Sequence, residues 1–167
     1  MRIEKVTLTD IPELTDLINS AYKGGDSNEG WTSEGHLVEG TRANEQMIIK
    51  YLDNKDVTIL KLTDETNKII GSVYLETKGA KLYLGMLSVS PSVQNKGVGR
   101  ILLEEGENFA KQHHCTAITI TVISVRTELI NWYERRGFIR SGKLVPFPTN
   151  AGNPKEPLEL IEMEKAI

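Results

Sequence analysis

Leu84-Gly85-Met86-Leu87-Ser88-Val89-Ser90-Pro91-Ser92-Val93-Gln94-Asn95-Lys96-Gly97-Val98-Gly99-Arg100 is an apolar strand that turns through a short loop into a helix opened by Gly-x-Gly. The first turn of a helix carries backbone N–H groups with no internal partner. The helix dipole adds roughly half a positive charge at that end. Glycine at 97 and 99 lets an anion approach the backbone closely. Lys96 and Arg100 add positive charge beside it. Together these residues predict a pyrophosphate cradle, against the plain alternative of a glycine turn that merely starts a helix. The loop is not a Walker A sequence, because no Gly-Lys-Ser/Thr follows. It also lacks the third glycine of a dinucleotide fingerprint, and Ile101 to Leu103 occupy that region.

Outward from this stretch, apolar spacing predicts the remaining elements. A strand is expected over Ile3–Leu8. A helix follows, capped by Asp10 with Glu13 as its capping-box partner, with Leu14, Leu17, Ile18, Ala21 and Tyr22 on one face. Residues 23–30 are polar and Gly-rich and read as a loop. A second helix is expected over Ala43–Leu52. Val57–Leu62, Ile69–Glu76 and Leu82–Val89 read as three strands close in sequence, which predicts an antiparallel meander. A long helix runs from Gly97 to about His113, then a strand over Ala117–Val122, and a helix over Thr127–Arg136 ended by Gly137. Lys143–Pro157 holds four of the chain's six prolines and reads as irregular. Leu158–Met163 is the last expected strand. The order is β-α-α-β-β-β-α-β-α-β, a mixed α/β (α+β) sandwich in which helices cover a sheet.

The bulk numbers bound the function. A chain of 167 residues suits one domain, 1–167. At 39% hydrophobic and 26% charged it has the composition of a globular protein with one sizeable core. A formal net charge of −3 gives no broadly basic field, so no nucleic-acid partner is expected. Cys115 is the single cysteine, which rules out an intrachain disulfide and fits a reducing cytoplasm. Met1 to Lys5 lack the apolar core of a signal peptide. No apolar run approaches the ~20 residues of a membrane helix. A cytoplasmic protein with no membrane partner, monomeric or homodimeric, is the expectation. His113-His114 has no third ligand near in sequence, so no metal is expected.

The 84–100 stretch, with its Val-x-Pro and Gln94-x-x-Gly97-x-Gly99 ahead of a Leu-rich helix, resembles the acetyl-CoA-binding motif of the GNAT superfamily of N-acetyltransferases. Trp132-Tyr133-Glu134-Arg135-Arg136-Gly137-Phe138 is similar to that family's Tyr-x-x-x-Gly-Phe helix end. The two motifs are separated by a helix and a strand, as in the family, and the element order matches over essentially the whole chain. The resemblance implies a GNAT-type, mostly antiparallel central sheet flanked by helices. It implies acetyl-CoA as co-substrate and transfer of its acetyl group to a primary amine by direct attack in a ternary complex.

Site residues follow from the same resemblance. The backbone of Leu87, Ser88 and Val89 would lie along the pantetheine arm, with a Leu87 N–H polarising the thioester carbonyl. Gln94, Asn95, Lys96, Gly97, Val98, Gly99 and Arg100 would hold the pyrophosphate. The strands Leu82–Val89 and Ala117–Val122 would splay at their ends to admit the thioester. Tyr133 matches the tyrosine that protonates the departing thiolate; the alternative is a core tyrosine packed beside Trp132 and Phe138. Many relatives place a carboxylate base near Gly85 or Met86, and neither can accept a proton. Many also carry asparagine where this chain has Arg126, which would clamp an anionic substrate group or a CoA oxygen, or simply be a solvated cation.

On the acceptor side the resemblance points to Gly25–Arg42. Trp31 would cover a ligand or anchor the loop to the core. Glu34 and His36 are the candidate bases, with Glu34 also able to bind an ammonium group. The acidic residues of this loop mildly favour a cationic acceptor. Phe147 would line the acceptor mouth or pack. A small-molecule amine is the expected acceptor. A peptide or protein amine is the sub-variant, and a non-catalytic acyl-CoA-binding module is the alternative from another class.

Overall fold

The computed structural model describes residues 1–23 and 37–167. Its elements run β1 (Arg2–Lys5), α1 (Ile11–Lys23), β2 (Val38–Glu39), α2 (Glu45–Asp53), β3 (Val57–Thr63), β4 (Ile69–Lys78), β5 (Lys81–Val89), α3 (Val98–Gln112), β6 (Ala117–Ile123), α4 (Thr127–Glu134), β7 (Ile139–Pro146), β8 (Asn153–Pro154) and β9 (Glu159–Ala166). The expected order is present with three strands added, β2, β7 and β8. Among the described residues β1, β3, β4, β5, β6, β9 and β7 form one sheet in that spatial order, and β2 pairs with β8 in a second. Every neighbouring pair in the main sheet is antiparallel except β5 with β6.

The sheet is buried on two faces. Leu14, Ile18 and Ile48 from α1 and α2 pack with Ile59 and Tyr74 on one side. Val98, Leu102, Ile130 and Phe138 pack with Leu75, Leu84 and Ile118 on the other. The long helix α3 sits close because two glycines make room. A Cβ on Gly71 of β4 would lie 2.9 Å from both Leu102 Cδ1 and Val98 Cγ1, and one on Gly106 would lie 2.8 Å from Leu84 Cδ1.

The capping at the start of α1 differs from expectation. Asp10 ends a short 3-10 turn, Leu8–Asp10, and its Oδ2 accepts from the Thr7 backbone N–H at 2.9 Å. Its Oδ1 takes the Lys61 ammonium of β3 at 2.8 Å. Glu13 reaches away from the helix start and accepts from the Ile69 N–H of β4 at 2.8 Å. Both carboxylates therefore tie the helix entry to the sheet. The second helix starts two residues later than expected and is capped by Asn44, whose Oδ1 accepts from Met47 N at 2.8 Å.

β5 breaks phase part-way along. Leu82 and Leu84 face the α3 side, Met86 faces the α1 side, and Leu87 and Val89 return to the α3 side. The register against β4 shifts between Ser72 and Tyr74, and Met86 has φ 44°. An extra residue in one strand does this, bending it and steepening its twist. The bend separates β5 from β6. The two strands pair only over Lys81–Tyr83 with Ala117–Thr119, although both run on for several residues.

Candidate active site

The separation of β5 and β6 opens a cavity of about 110 Å³. Leu84, Gly85, Met86 and Leu87 wall it from β5, and Ile120, Thr121, Val122 and Ile123 from β6. Around this slot stand Tyr83, Arg126, Tyr133 and Phe147. Tyr83 lays its ring over Gly85, where any Cβ would lie 2.8 Å from its Cε2, and its hydroxyl is 3.3 Å from Thr121 Oγ1.

Tyr133 lies on α4, which points into the opening because Ile130 and Phe138 anchor its inner side. Its ring meets Trp132 and Phe138 edge-on, at centroid distances of 4.9 and 5.4 Å. The residue is 6% exposed. Burial pushes its phenol well above the ordinary range, the Tyr22 and Tyr83 phenols push the same way, and Arg126 and Arg136 oppose them. The proton therefore stays on the oxygen at neutral pH. Packing and chemistry are compatible here: the ring is in the core and the same residue lines the cavity.

A second cavity, of about 470 Å³, lies at the start of α3. Val89, Asn95, Gly97, Val98, Gly99 and Arg100 form one wall. Gly97 is the N-cap with φ 80°, a left-handed conformation that suits glycine, and no side chain caps the helix. The first-turn N–H groups are thus left for another acceptor. Ser90 N donates to Ile70 O of β4 at 2.9 Å, so strand alternation turns the backbone of Val89 away from β4 and toward the opening.

The opposite wall is Glu128, Leu129, Trp132, Arg135 and Arg136, none of which the sequence singled out as a binding group. Arg136 stacks its guanidinium 3.8 Å above the Trp132 ring and donates from Nη1 to Trp132 O at 2.9 Å. Its Nε is buried with no hydrogen-bond partner among the described residues. Burial, then the nearby Arg135 and Arg100 charges, hold Arg136 below its ordinary pKa. Three guanidiniums surround an uncapped helix start against one carboxylate of the lining, Glu128, which leaves the wall net positive although Arg100 also pairs with Glu104 at 3.7 Å, and an orphaned buried donor is costly unless something fills it. These residues fit a pyrophosphate-bearing cofactor. Leu129 lines both cavities, so they adjoin beneath α4.

The remaining sequence-selected residues are placed as follows. Leu87 lines the smaller cavity rather than the larger. Ser88 is fully buried, with Oγ donating to Met86 O at 3.0 Å inside the bulge. Gln94 shapes the loop, its Nε2 donating to Val89 O at 3.1 Å. Lys96 is exposed and does not line the larger cavity. Arg126 is 3% exposed and lines the smaller cavity, with Nε 3.4 Å from Glu128 Oε1. That placement sets aside the solvated-cation alternative. Trp31, Glu34 and His36 lie outside the described residues.

Residues 12–138 match the Acetyltransferase (GNAT) family. The chain belongs to the GNAT family. The uncharacterized protein YdhI of Bacillus subtilis is 29% identical over 75 residues, 45% of this chain and 46% of that protein. N-alpha-acetyltransferase 30 of Saccharomyces cerevisiae is 28% identical over 71 residues, 42% of this chain and 40% of that protein. The chain thus spans less than half the length of these curated relatives. In three dimensions it is similar to a Thermoplasma acidophilum PaiA N-acetyltransferase solved in complex with coenzyme A. That likeness has a TM-score of 0.68 and 18% identity, covers 100% of each chain, and speaks to the fold. Among the described residues no helix is long and apolar enough to cross a membrane.

Proposed function

We propose that this GNAT protein is an acetyl-CoA-dependent N-acetyltransferase whose acceptor is a primary amine on a small molecule. The observation that carries the reading is the junction at Leu129 of two cavities, one rich in arginine at a helix start and one slotted between parted strands. The coenzyme A complex of the PaiA relative supports the choice of cofactor. Acetyl-CoA when bound supplies a thioester, whose acyl carbon accepts the amine and whose thiolate departs.

The chain's own residues divide the work. The α3 N-terminus from Gly97 to Arg100, with Arg135 and Arg136 opposite, binds the pyrophosphate. Backbone groups of Leu87 and Val89 hold the pantetheine arm, and a Leu87 N–H polarises the carbonyl. Tyr133 keeps its proton until the thiolate needs it. Glu34 and His36 are the proposed bases for the ammonium, since Gly85 and Met86 offer none. A protein N-terminal amine is the second reading, favoured by the yeast relative's name.

The test pairs binding with turnover. Thiol release from acetyl-CoA should depend on an added primary amine. Gly97→Asp should weaken CoA binding by at least about tenfold, or ~1.4 kcal/mol, because a carboxylate would stand where phosphate must come. A Cβ there meets nothing within 4 Å, and aspartate tolerates the left-handed region better than most residues. The fold should therefore survive. Unchanged CoA affinity by calorimetry would remove the larger cavity from the cofactor site.

A further inference from the structure

Arg42 plays no part in the reading above, yet it stands on the wall of the smaller cavity. Its backbone is fixed from a distance. Asn19 on α1 accepts from the N–H groups of Arg42 and Ala43, at 2.9 Å each, and donates to Ala43 O at 2.9 Å. The guanidinium lies over the Tyr22 ring at 5.4 Å. Its Nη1 is buried and has no hydrogen-bond partner among the described residues. A buried cationic donor left without an acceptor is a standing cost that a bound anion would remove.

The surroundings point the same way. Arg126, nearly fully buried, lines the same cavity. Tyr22, Tyr83 and Tyr133 add phenols, and Thr121 adds a hydroxyl. Among the described residues of this wall there is no aspartate or glutamate, although Arg126 pairs with Glu128 outside it at 3.4 Å. The space is also small and bridged. β2 pairs with β8 through Val38–Pro154 and Glu39–Asn153, and Gly40 and Gly152 come together just beyond. This ladder joins the segments that carry Arg42 and Ala151 across the acceptor side.

We propose that the acceptor is a small amine that also bears a carboxylate, an amino-acid-like molecule whose anionic end is held by Arg42 beside Arg126 while its amine faces the β5 bulge. The inference rests on the acetyltransferase reading for the chemistry at the amine. It departs from the cationic acceptor that the acidic 25–34 loop suggested. A planar guanidinium matches a carboxylate in two parallel hydrogen bonds, which a lysine or a phenol cannot reproduce.

The experiment measures binding to the CoA-loaded protein by calorimetry, alongside thiol release from acetyl-CoA. The probes are amino acids, their carboxamides and their decarboxylated amines, matched by side chain. Wild type should bind at least one acid about 10–100-fold more tightly than its matched amide, the range for a hydrogen bond to a charged group. Arg42→Gln should bring that ratio close to one. Arg42→Lys, which keeps the charge and loses the fork, should fall between them, and retained CoA binding in both variants checks the fold. Equal affinity for acids and amides, or tighter binding of the decarboxylated amines, overturns the inference whether or not thiol is released. A ratio that survives Arg42→Gln overturns it as well. Thiol release without acid preference leaves the acetyltransferase reading standing and this one fallen. Arg42-dependent acid preference without thiol release does the reverse.

Discussion

Tyr133 stands where the core meets the cavity, and its two possible roles predict different outcomes. Tyr133→Phe removes one oxygen and keeps the ring against Trp132 and Phe138. Stability and CoA affinity should change little. Single-turnover acetyl transfer at saturating acetyl-CoA should fall by roughly 10²–10⁴, the span for a lost general acid. Because burial raises the phenol's pKa, the tyrosine remains protonated across any ordinary assay range. The wild-type rate should then show no descending limb from this group below about pH 10, the free tyrosine value. Equal single-turnover rates would reduce Tyr133 to packing. At this scale the sequence disclosed Tyr133 and Gly97 through their motifs. It hid Arg136, because a cation just past the end of a helix already has an ordinary explanation in the dipole. It hid Arg42 more deeply, since its backbone is held by Asn19, 23 residues earlier in the chain.

Among the elements, the α3–sheet contact sets the tightest tolerance. Gly71 has no side chain because Val98 and Leu102 need the space. Both are buried, at 2% and 0% exposure, so neither can swing outward. Gly71→Ala should cost about 1–3 kcal/mol, the range for overpacking a closed core. Urea unfolding checks this, and a midpoint at or above wild type would show that α3 can shift. The loss should reach CoA affinity too, because the same first turn of α3 carries Val98. The helices were legible from periodicity because each has one wet and one dry face, and the β3–β5 meander because its strands are short apolar runs, buried on both faces, set off by polar turns. β7 was not. Its residues are exposed along nearly the whole strand, with Ile139 and Leu144 both open to solvent. Without alternation of burial there is no period-two signal to read. The ladder of β2 with β8 was equally hidden, since it consists of two residues on each side.

For the whole molecule, chain order and spatial order diverge at the C-terminus. β9, almost the last part of the chain, lies between β6 and β7. It pairs with β6 from Ala117–Ala166 to Ile123–Leu160 and holds β7 on its other edge. A chain ended at Leu158 would leave β6 unpaired along most of its length and strip β7 of its neighbour. Met163, fully buried, would go with it. Such a chain should show no cooperative thermal transition, whereas loss of Ile167 alone should leave one. A sharp transition in the chain ended at Leu158 would mean that β9 is an accessory edge.

The brief pairing of β5 with β6 has a mechanical meaning. Everything before Val89 in the main sheet hangs on one side of that seam, and β6, β9 and β7 hang on the other. Backbone hydrogen bonds stitch the seam at one end only, and α3 bridges it from one face. A molecule lodged in the slot is gripped by both halves at once. Part of its binding free energy then becomes cohesion between them, about 2.7 kcal/mol at a hundredfold excess over Kd. Occupancy of the slot would therefore act as a rivet, stiffening the sheet along the line where its own ladder stops.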